Sequence, residues 1–288
     1  MTDGSPLELD DIQHILLTRT PAITGRYEFL TFDTAAGGRT WLSELLDKVQ
    51  SAADVAATLD TSDRWVTLAF TWTGLRALGV PGKALTSFPD AFREGMASRA
   101  DILGDTGNNA PEHWVGGLAG DDLHAIAILF SRTDEQCQKS IAEHDKLLAR
   151  TDGVRSLSHL DLNATPPFNY AHDHFGFRDR LSQPVMKGSG EEPTPGSGDS
   201  LEPGEFILGY PDEDGPGPEL PQPEMLSRNG SFMAYRRLQE HVGRFRDYLR
   251  EHSDTPEGQE LVAAKFMGRW RSGAPLVLAP NQDDPELG

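Results

Sequence analysis

The sequence has 288 residues, of which 37% are hydrophobic, so it is long enough and apolar enough to bury a sizeable core. Its 26 Lys and Arg residues stand against 45 Asp and Glu residues, which gives a formal net charge of −19 at pH 7. Such a charge repels phosphate backbones and anionic membrane surfaces. The composition therefore argues against nucleic acid and membrane partners.

The number of cysteines and the lengths of the apolar runs indicate the cellular location of the protein. Cys137 is the only cysteine, which excludes an intramolecular disulfide and any multi-cysteine metal site. Residues 1–11 contain no basic residue, and the first apolar run, at residues 15–17, is too short for a signal-peptide core. The longest apolar run, residues 125–130, is far below the roughly 20 residues that a membrane-spanning helix needs. We therefore expect a cytoplasmic protein.

Short runs of β-branched and aromatic residues predict strands in the first half of the chain. These strands are expected at residues 12–17, 27–32, 65–70, 123–130 and 154–160. They alternate with helical stretches and are too few and too short for a doubly wound sheet. The order predicts an α+β fold, a ferredoxin-like sandwich in which an antiparallel sheet carries helices on one face.

Helices are predicted where apolar residues recur every three or four positions. The first runs over residues 38–49, with Thr40 or Ser43 as its N-cap. A short helix capped by Thr73 and a longer one capped by Asp134 follow. These helices supply the layer that covers the sheet.

Residues 186–224 change the character of the chain, because they contain 8 Gly and 8 Pro among acidic residues. Such a composition buries too little apolar surface to offset the entropy lost on ordering. We interpret the stretch as an exposed connection that the apolar residues 206–210 anchor to the body of the protein. The predicted domains are an N-terminal ferredoxin-like domain at 1–185, this connection at 186–228, and an incomplete second ferredoxin-like domain at 229–288.

The second domain is expected to begin with a strand at residues 231–235. A helix is predicted from residue 256 towards residue 270, with Pro256 in its first turn. Another helix is predicted by four apolar residues that fall on one helical face: Leu238, Val242, Phe245 and Leu249.

Residues 170–184 hold the densest cluster of polar and aromatic side chains. If residues 170–175 are extended, His172 and His174 point to one face, and Asp179 lies a short turn away. Two histidines and a carboxylate are a known donor set for a divalent metal, and this spacing resembles part of a cupin motif. The alternative is that both histidines lie in an exposed acidic loop and bind no metal.

A second interpretation starts from residues 176–184, which read Gly-Phe-Arg-Asp-Arg-Leu-Ser-Gln-Pro. This run resembles the Gly-Phe-x-Asp-Gly-x-Ser-Gln-Pro signature of the dye-decolorizing haem peroxidases. Three later segments also resemble segments of that family, in the family's order: residues 205–210, 228–232 and 268–276. The resemblance covers nearly the whole chain and implies two ferredoxin-like domains with haem b bound between them.

The resemblance also implies roles for individual residues. Asp179 matches the family's distal aspartate, which moves a proton within hydrogen peroxide as the O–O bond breaks. Phe177, Arg180, Leu181 and Gln183 are then expected to lie along the same face of the haem. The alternative for Asp179 is a turn residue that only accepts backbone hydrogen bonds.

The sequence departs from the family pattern in two places. Arg180 stands where the signature has glycine, which permits backbone angles or a close approach that a side chain obstructs. The family's proximal histidine, which ligates iron, and its distal arginine lie beyond the segment that residues 274–278 match, and neither has a counterpart here. His241 and His252 occupy no family ligand position. We therefore expect a peroxidase chain without its C-terminal part, and we assign no metal ligand.

The function implied by the resemblance is that of a peroxidase, which uses hydrogen peroxide to oxidise bulky aromatic reductants. A homo-oligomer is compatible with this function. Two alternatives stay open: a non-catalytic ferredoxin-like relic or interaction protein without haem, and a cupin-like metal-dependent enzyme that uses His172, His174 and Asp179.

Overall fold

The computed structural model describes residues 6–18, 20–163, 172–179, 181, 184–193 and 198–288. Contacts along the chain divide it into two units. The first unit comprises Met1–Asn163, Val185–Pro193 and Asp199–Met233. The second unit comprises Ala164–Pro184, Thr194–Gly198 and Ala234–Gly288.

The first unit is built on one four-stranded sheet. Its strands are β1 (Thr24–Phe32), β2 (Arg64–Phe70), β3 (Ala125–Ser131) and β4 (Val154–Asn163). They lie in the order β2-β3-β1-β4, and every pair is antiparallel. In the central strand β1, Tyr27 pairs with Ile128 on one side and with Leu160 on the other. This order is that of a split βαβ sheet and confirms the predicted ferredoxin-like α+β fold.

Helices connect the strands and continue into the second unit. In chain order they are α1 (Ala35–Leu46), α2 (Ala52–Thr58), α3 (Trp72–Ala77), α4 (Gly82–Leu85), α5 (Asp90–Ser98), α6 (Ala100–Leu103), α7 (Asp134–Arg150), α8 (Val242–His252) and α9 (Pro256–Met267). Within the described ranges, none of these helices is long and apolar enough to cross a membrane.

The core of the first unit lies between the sheet and the helices α1 and α7. Phe32 of β1 packs against Trp41 of α1, with ring centroids 5.6 Å apart, and Leu147 of α7 joins the same cluster. Trp41 is completely buried. Because burial of one large apolar side chain contributes about 1.5–3 kcal/mol, such contacts fix both helices on the sheet.

Three threonines cap helices in the first unit. Thr34, Thr71 and Thr133 have extended backbones, and each hydroxyl accepts a hydrogen bond of 3.0–3.2 Å from the backbone N–H three residues later. The predicted caps were wrong, since the helices begin one or more residues earlier and include them: Thr40, Ser43, Thr73 and Asp134.

The early start of α1 depends on Gly37 in its first turn. A Cβ atom at Gly37 would lie 2.2 Å from the backbone oxygen of Asp152. Only glycine therefore lets α1 approach the turn that precedes β4 so closely.

The strand predicted at residues 12–17 was also wrong, because His14–Leu16 form a 3-10 helix. Gln13 explains the difference. Its side-chain amide donates to the backbone oxygen of Leu68 and accepts from the Leu68 N–H, both at 3.0 Å. This side chain covers part of the free edge of β2, where no further strand pairs among the described residues.

Residues 206–210 contain the expected anchor of the Gly- and Pro-rich stretch. Ile207 and Tyr210 are buried and cluster with Ile12 and Met186 of the same unit. The Tyr210 hydroxyl also donates to Oδ1 of Asn229 at 2.6 Å. The anchor is therefore confirmed.

The two units divide the chain at different places from the predicted domains. Residues 199–228 of the predicted connection fall in the first unit, and Ala164–Pro184, the predicted end of the N-terminal domain, fall in the second. The boundaries at 185 and 228 stay a prediction about units of folding.

The second unit is organised around α8 and α9. Leu249 of α8 and Ala263 of α9 are buried in one cluster, and Trp270 is buried against Ala264 in another. Residues 231–235 form no strand, and Leu238 lies ahead of α8 and not on it. The predicted helical face was therefore one turn too long.

Candidate active site

Residues 172–179, hereafter the 172–179 loop, form a tight hairpin in the second unit. The backbone N–H of Asp173 donates to the oxygen of Phe177 at 2.9 Å, and the N–H of Gly176 donates to the oxygen of Asp173 at 3.0 Å. The side chain of Asp173 closes the turn, because its Oδ1 accepts from the Phe177 N–H at 2.8 Å. The internal shape of the loop is thus set by one aspartate.

Gly176 meets two requirements in this turn. Its φ of +92° lies in the left-handed region that residues with side chains rarely adopt. A Cβ atom at this position would also lie 2.5 Å from Nη1 of Arg271. The glycine therefore permits both the turn and the close approach of an arginine.

Arg271 contacts the loop at several points. Its Nη1 donates to the backbone oxygen of Phe175, and its Cζ lies 4.8 Å from the centre of the Phe177 ring. Its own backbone oxygen accepts from the N–H of Arg178 at 3.1 Å. Nε donates to Oε2 of Glu260, on α9, at 2.5 Å. One side chain thus ties the loop to a helix.

The contacts of Arg271 contribute little to the stability of the second unit. The side chains of Arg271 and Glu260 keep 33% and 45% of their exposure, and an ion pair so exposed contributes only about 0.2–1 kcal/mol. The contact with the Phe177 ring adds a similar amount. The sum is small against the stability of a domain, so the main effect of the contacts is to orient the loop.

Phe177 lies in the core of the second unit. It is 5% exposed and packs against Leu249 and Ala263, with Phe175 and Phe245 at the edge of the cluster. Its burial anchors the loop to this core. Its expected place along the haem stays a prediction.

Asp179 follows this anchored backbone and is exposed. Leu181 is half-buried, and its side chain covers Gly273, where a Cβ atom would lie 2.8 Å from Leu181 Cδ1. Arg180 and Gln183, the other two residues predicted beside the haem, lie outside the described residues.

The predicted two-histidine, one-carboxylate metal site was wrong. The loop is a hairpin in which His172 pairs with Arg178, so residues 172–175 are not an extended strand that aligns the two histidines. Nδ1 of His174 instead lies 3.1 Å from Oε2 of Glu240. Among the described residues, which include His172, His174 and Asp179, no group of three or more His, Cys, Asp or Glu side chains could hold a metal ion.

The family of known proteins that matches the sequence is described as the DyP dimeric alpha+beta barrel domain, and the match covers residues 11–161. That is more than half of the 288 residues. The chain belongs to the dye-decolorizing peroxidase (DyP) family.

Individual DyP relatives match over nearly all of the chain. A dye-decolorizing peroxidase of Mycena epipterygia is 32% identical over 98% of this chain, and peroxidase 2 of Mycetinis scorodonius is 32% identical over the same share. The chain covers 52% and 53% of these two proteins, so it spans about half the length of the curated relatives it matches. The structure of an ancestral D-type dye-decolorizing peroxidase superposes with a TM-score of 0.84, at 29% identity, over 98% of this chain and 62% of that chain.

The DyP family implies a haem, and the chemistry of the residues at the end of the 172–179 loop fits one side of this cofactor. Asp179 presents an exposed carboxylate, a group that can exchange protons with peroxide. The backbone before it is fixed by Arg271, and the apolar side chain of Leu181 lies two residues beyond it. These are the kinds of groups that a haem and its oxidant need on one face.

Three described histidines of the second unit do not fit the role of axial ligand to the haem iron. His174 pairs with Glu240, and both His241 and His252 are exposed. Nδ1 of His252 lies 2.8 Å from the backbone oxygen of Tyr248, on whose ring it stacks. The residues present therefore fit the distal side of the haem and leave its axial ligand unassigned.

Sequence reasoning missed the residues that support the DyP signature. Arg271 lies within residues 268–276, which were matched to the family as a segment without any role. Glu260 carries no sequence signal, because it looks like any acidic residue on an exposed helix face. The one available signal for Arg271 was its place between Trp270 and the turn at Gly273, which fixes where its side chain emerges.

Proposed function

We propose that this chain carries the distal part of a haem peroxidase of the dye-decolorizing type, which uses hydrogen peroxide to oxidise bulky aromatic donors. The observation that supports the proposal best is the exposed Asp179 at the end of the braced 172–179 loop, in a chain of the DyP family. Both elements are required, since family membership alone gives the fold and the loop gives the reacting group.

The chemistry divides between the cofactor and the chain. Haem b, when bound, supplies the iron and the two electrons that reduce peroxide, and the aromatic donors return those electrons. Asp179 acts on the protons. Its carboxylate accepts the proton of one peroxide oxygen and delivers it to the other, which leaves as water when the O–O bond breaks. Phe177, Leu181, Arg180 and Gln183 are proposed to line the same side.

We also propose that the axial histidine has no counterpart among these 288 residues. The exposure of His241 and His252 supports this, since a ligand of haem iron is held inside an apolar pocket. A cytoplasmic location, argued from the lone Cys137, and a homo-oligomeric state remain proposals of the same standing.

The proposed function is tested by joining this chain to the part of the Mycena epipterygia relative that it does not match. The joined protein should bind haem with a sharp Soret band and oxidise a bulky aromatic dye only when peroxide is present. The 288-residue chain alone should bind haem weakly and without the spectrum of a histidine ligand.

Each part of the proposal has its own contrary result. A joined protein that folds but binds no haem, or oxidises the dye no faster than free haem does, would indicate a non-catalytic relic. A five-coordinate histidine spectrum from the 288-residue chain alone would show that one of its own histidines ligates the iron.

A further inference from the structure

We propose that Arg271 is a positioning residue, which holds the 172–179 loop against α9 so that Asp179 presents its carboxylate in one direction. The importance of that direction for catalysis rests on the proposed function. The structural role of Arg271 does not.

The loop has an internal shape and an orientation, and different residues set them. Asp173 sets the shape through its bonds to Gly176 and Phe177. It makes the turn compact but does not join it to a helix. Arg271 makes that connection, because its guanidinium contacts both the loop and Glu260 on α9. Phe177, buried against Ala263 of α9, holds the hairpin on the second unit, and Arg271 adds the polar contacts that orient it there.

The contacts of Arg271 come close to Asp179 along the chain. The guanidinium reaches the backbone oxygen of Phe175 and the face of the Phe177 ring, and the backbone oxygen of Arg271 accepts from Arg178. The last of these contacts is one residue before Asp179. Asp179 is attached to this backbone, so a rotation of the loop would move its carboxylate.

Only arginine has the geometry for these contacts. Its planar guanidinium donates in fixed directions, so it can bind Glu260 and the Phe175 oxygen and still lie over the Phe177 ring. A lysine could keep the charge but not all three contacts. Gly176 completes the arrangement, because any Cβ atom there would displace Nη1.

The experiment measures amide hydrogen exchange of the 288-residue chain without added haem. Arg271→Gln, Arg271→Lys and Arg271→Ala are compared with the parent chain, and Arg246→Gln, an exposed arginine of α8, is the matched control. Peptides that cover the 172–179 loop are compared with peptides from α9. Glu260→Gln keeps the shape of its side chain and gives a milder test if the Arg271 variants do not fold.

We expect exchange in the loop to become at least tenfold faster in Arg271→Gln, while exchange in α9 stays within twofold of the parent. Arg271→Lys should recover only part of the protection, whereas millimolar methylguanidinium should restore it in Arg271→Ala. The control should not change. Glu260→Gln should accelerate the loop in the same direction by a smaller factor.

Two results would overturn the inference. Unchanged exchange in the loop would show that Asp173 and the buried Phe177 fix it without Arg271. Equal acceleration in the loop and α9 would show that Arg271 stabilises the whole second unit and does not position the loop. Because no haem takes part, this test stays valid if the proposed peroxidase function fails. If this test fails, the proposed function is likewise unaffected.

Discussion

The indole Nε1 of Trp41 donates a hydrogen bond of 3.1 Å to Nε2 of His144, deep between the sheet and α7. The bond requires a neutral imidazole that carries its proton on Nδ1. Nδ1 has no hydrogen-bond partner among the described residues, and burial lowers the pKa of His144 to about 4. The core therefore excludes the charged form of this histidine.

The stability of the protein should fall on mild acidification because of His144. An unfolded histidine titrates near pH 6.5, so between pH 6.5 and pH 4 the unfolded chain binds a proton that the folded chain does not. The cost reaches about 3 kcal/mol at most. Urea unfolding at pH 7.5 and pH 4.5 measures it, and His144→Gln should lose less stability than the parent over this interval.

The comparison with the variant matters because burial also lowers the pKa values of His14 and His124. These two histidines destabilise the folded state on acidification in the same direction and affect parent and variant alike. Equal losses of stability in the parent and in His144→Gln would contradict the assignment to His144.

Glu28 on β1 should show the opposite dependence on pH. The residue is 2% exposed, and one carboxylate oxygen accepts from the Ser156 hydroxyl while the other has no hydrogen-bond partner among the described residues. Burial raises the pKa of Glu28, so its ionisation destabilises the folded state as the pH rises through that value. Relative to the parent, Glu28→Gln should therefore gain unfolding free energy between pH 4 and pH 7. A constant difference across that range would contradict this.

Two glycines should respond to alanine in opposite ways. In Gly37→Ala the new Cβ would meet the backbone oxygen of Asp152 at 2.2 Å, so we expect a loss of about 3 kcal/mol or more. At Gly243, in α8, a Cβ meets nothing within 4 Å, and alanine should stabilise the helix by about 0.5–1 kcal/mol. Thermal unfolding of both variants is the measurement. A neutral Gly37→Ala would show that the turn before β4 can move aside.

The sequence was sufficient to predict the strands of the sheet, because they are rich in apolar and β-branched residues with clear periodicity. Residues 27–32 and 65–70 were placed almost as they occur in β1 and β2. The start of α9 at Pro256 was predicted. The start of α1 was not, since capping by Thr34 depends on its extended backbone and not on its residue type alone. The strand predicted at residues 12–17 was wrong because a short run of apolar residues is equally typical of a short helix, here His14–Leu16.

The sequence predicted Asp179 as the candidate reactive residue, which stays a prediction, and it missed the residues that support the 172–179 loop. Asp179 stands in a recognisable run of residues, whereas Arg271 meets the loop, and Glu260 meets Arg271, only in the fold. Such long-range contacts leave no periodic signal in a single sequence. The two-histidine site failed for a related reason, because Asp173 turns the backbone where an extended strand was assumed.

Asp179→Asn tests the proposed role of Asp179 in the protein joined to the unmatched part of the Mycena epipterygia relative. Asparagine keeps the shape of the side chain and can bind peroxide, but it cannot accept the proton that passes between the two oxygens. The initial rate of peroxide-dependent dye oxidation should therefore fall by about 10²–10⁴-fold, with the Soret band nearly unchanged. Asp173→Asn is the matched control, because its retained amide oxygen can still accept from the Phe177 N–H, and its rate should fall by less than tenfold. Arg180→Gly, which restores the family's glycine, should raise the rate. A rate within twofold of the parent for Asp179→Asn would show that another group moves the proton.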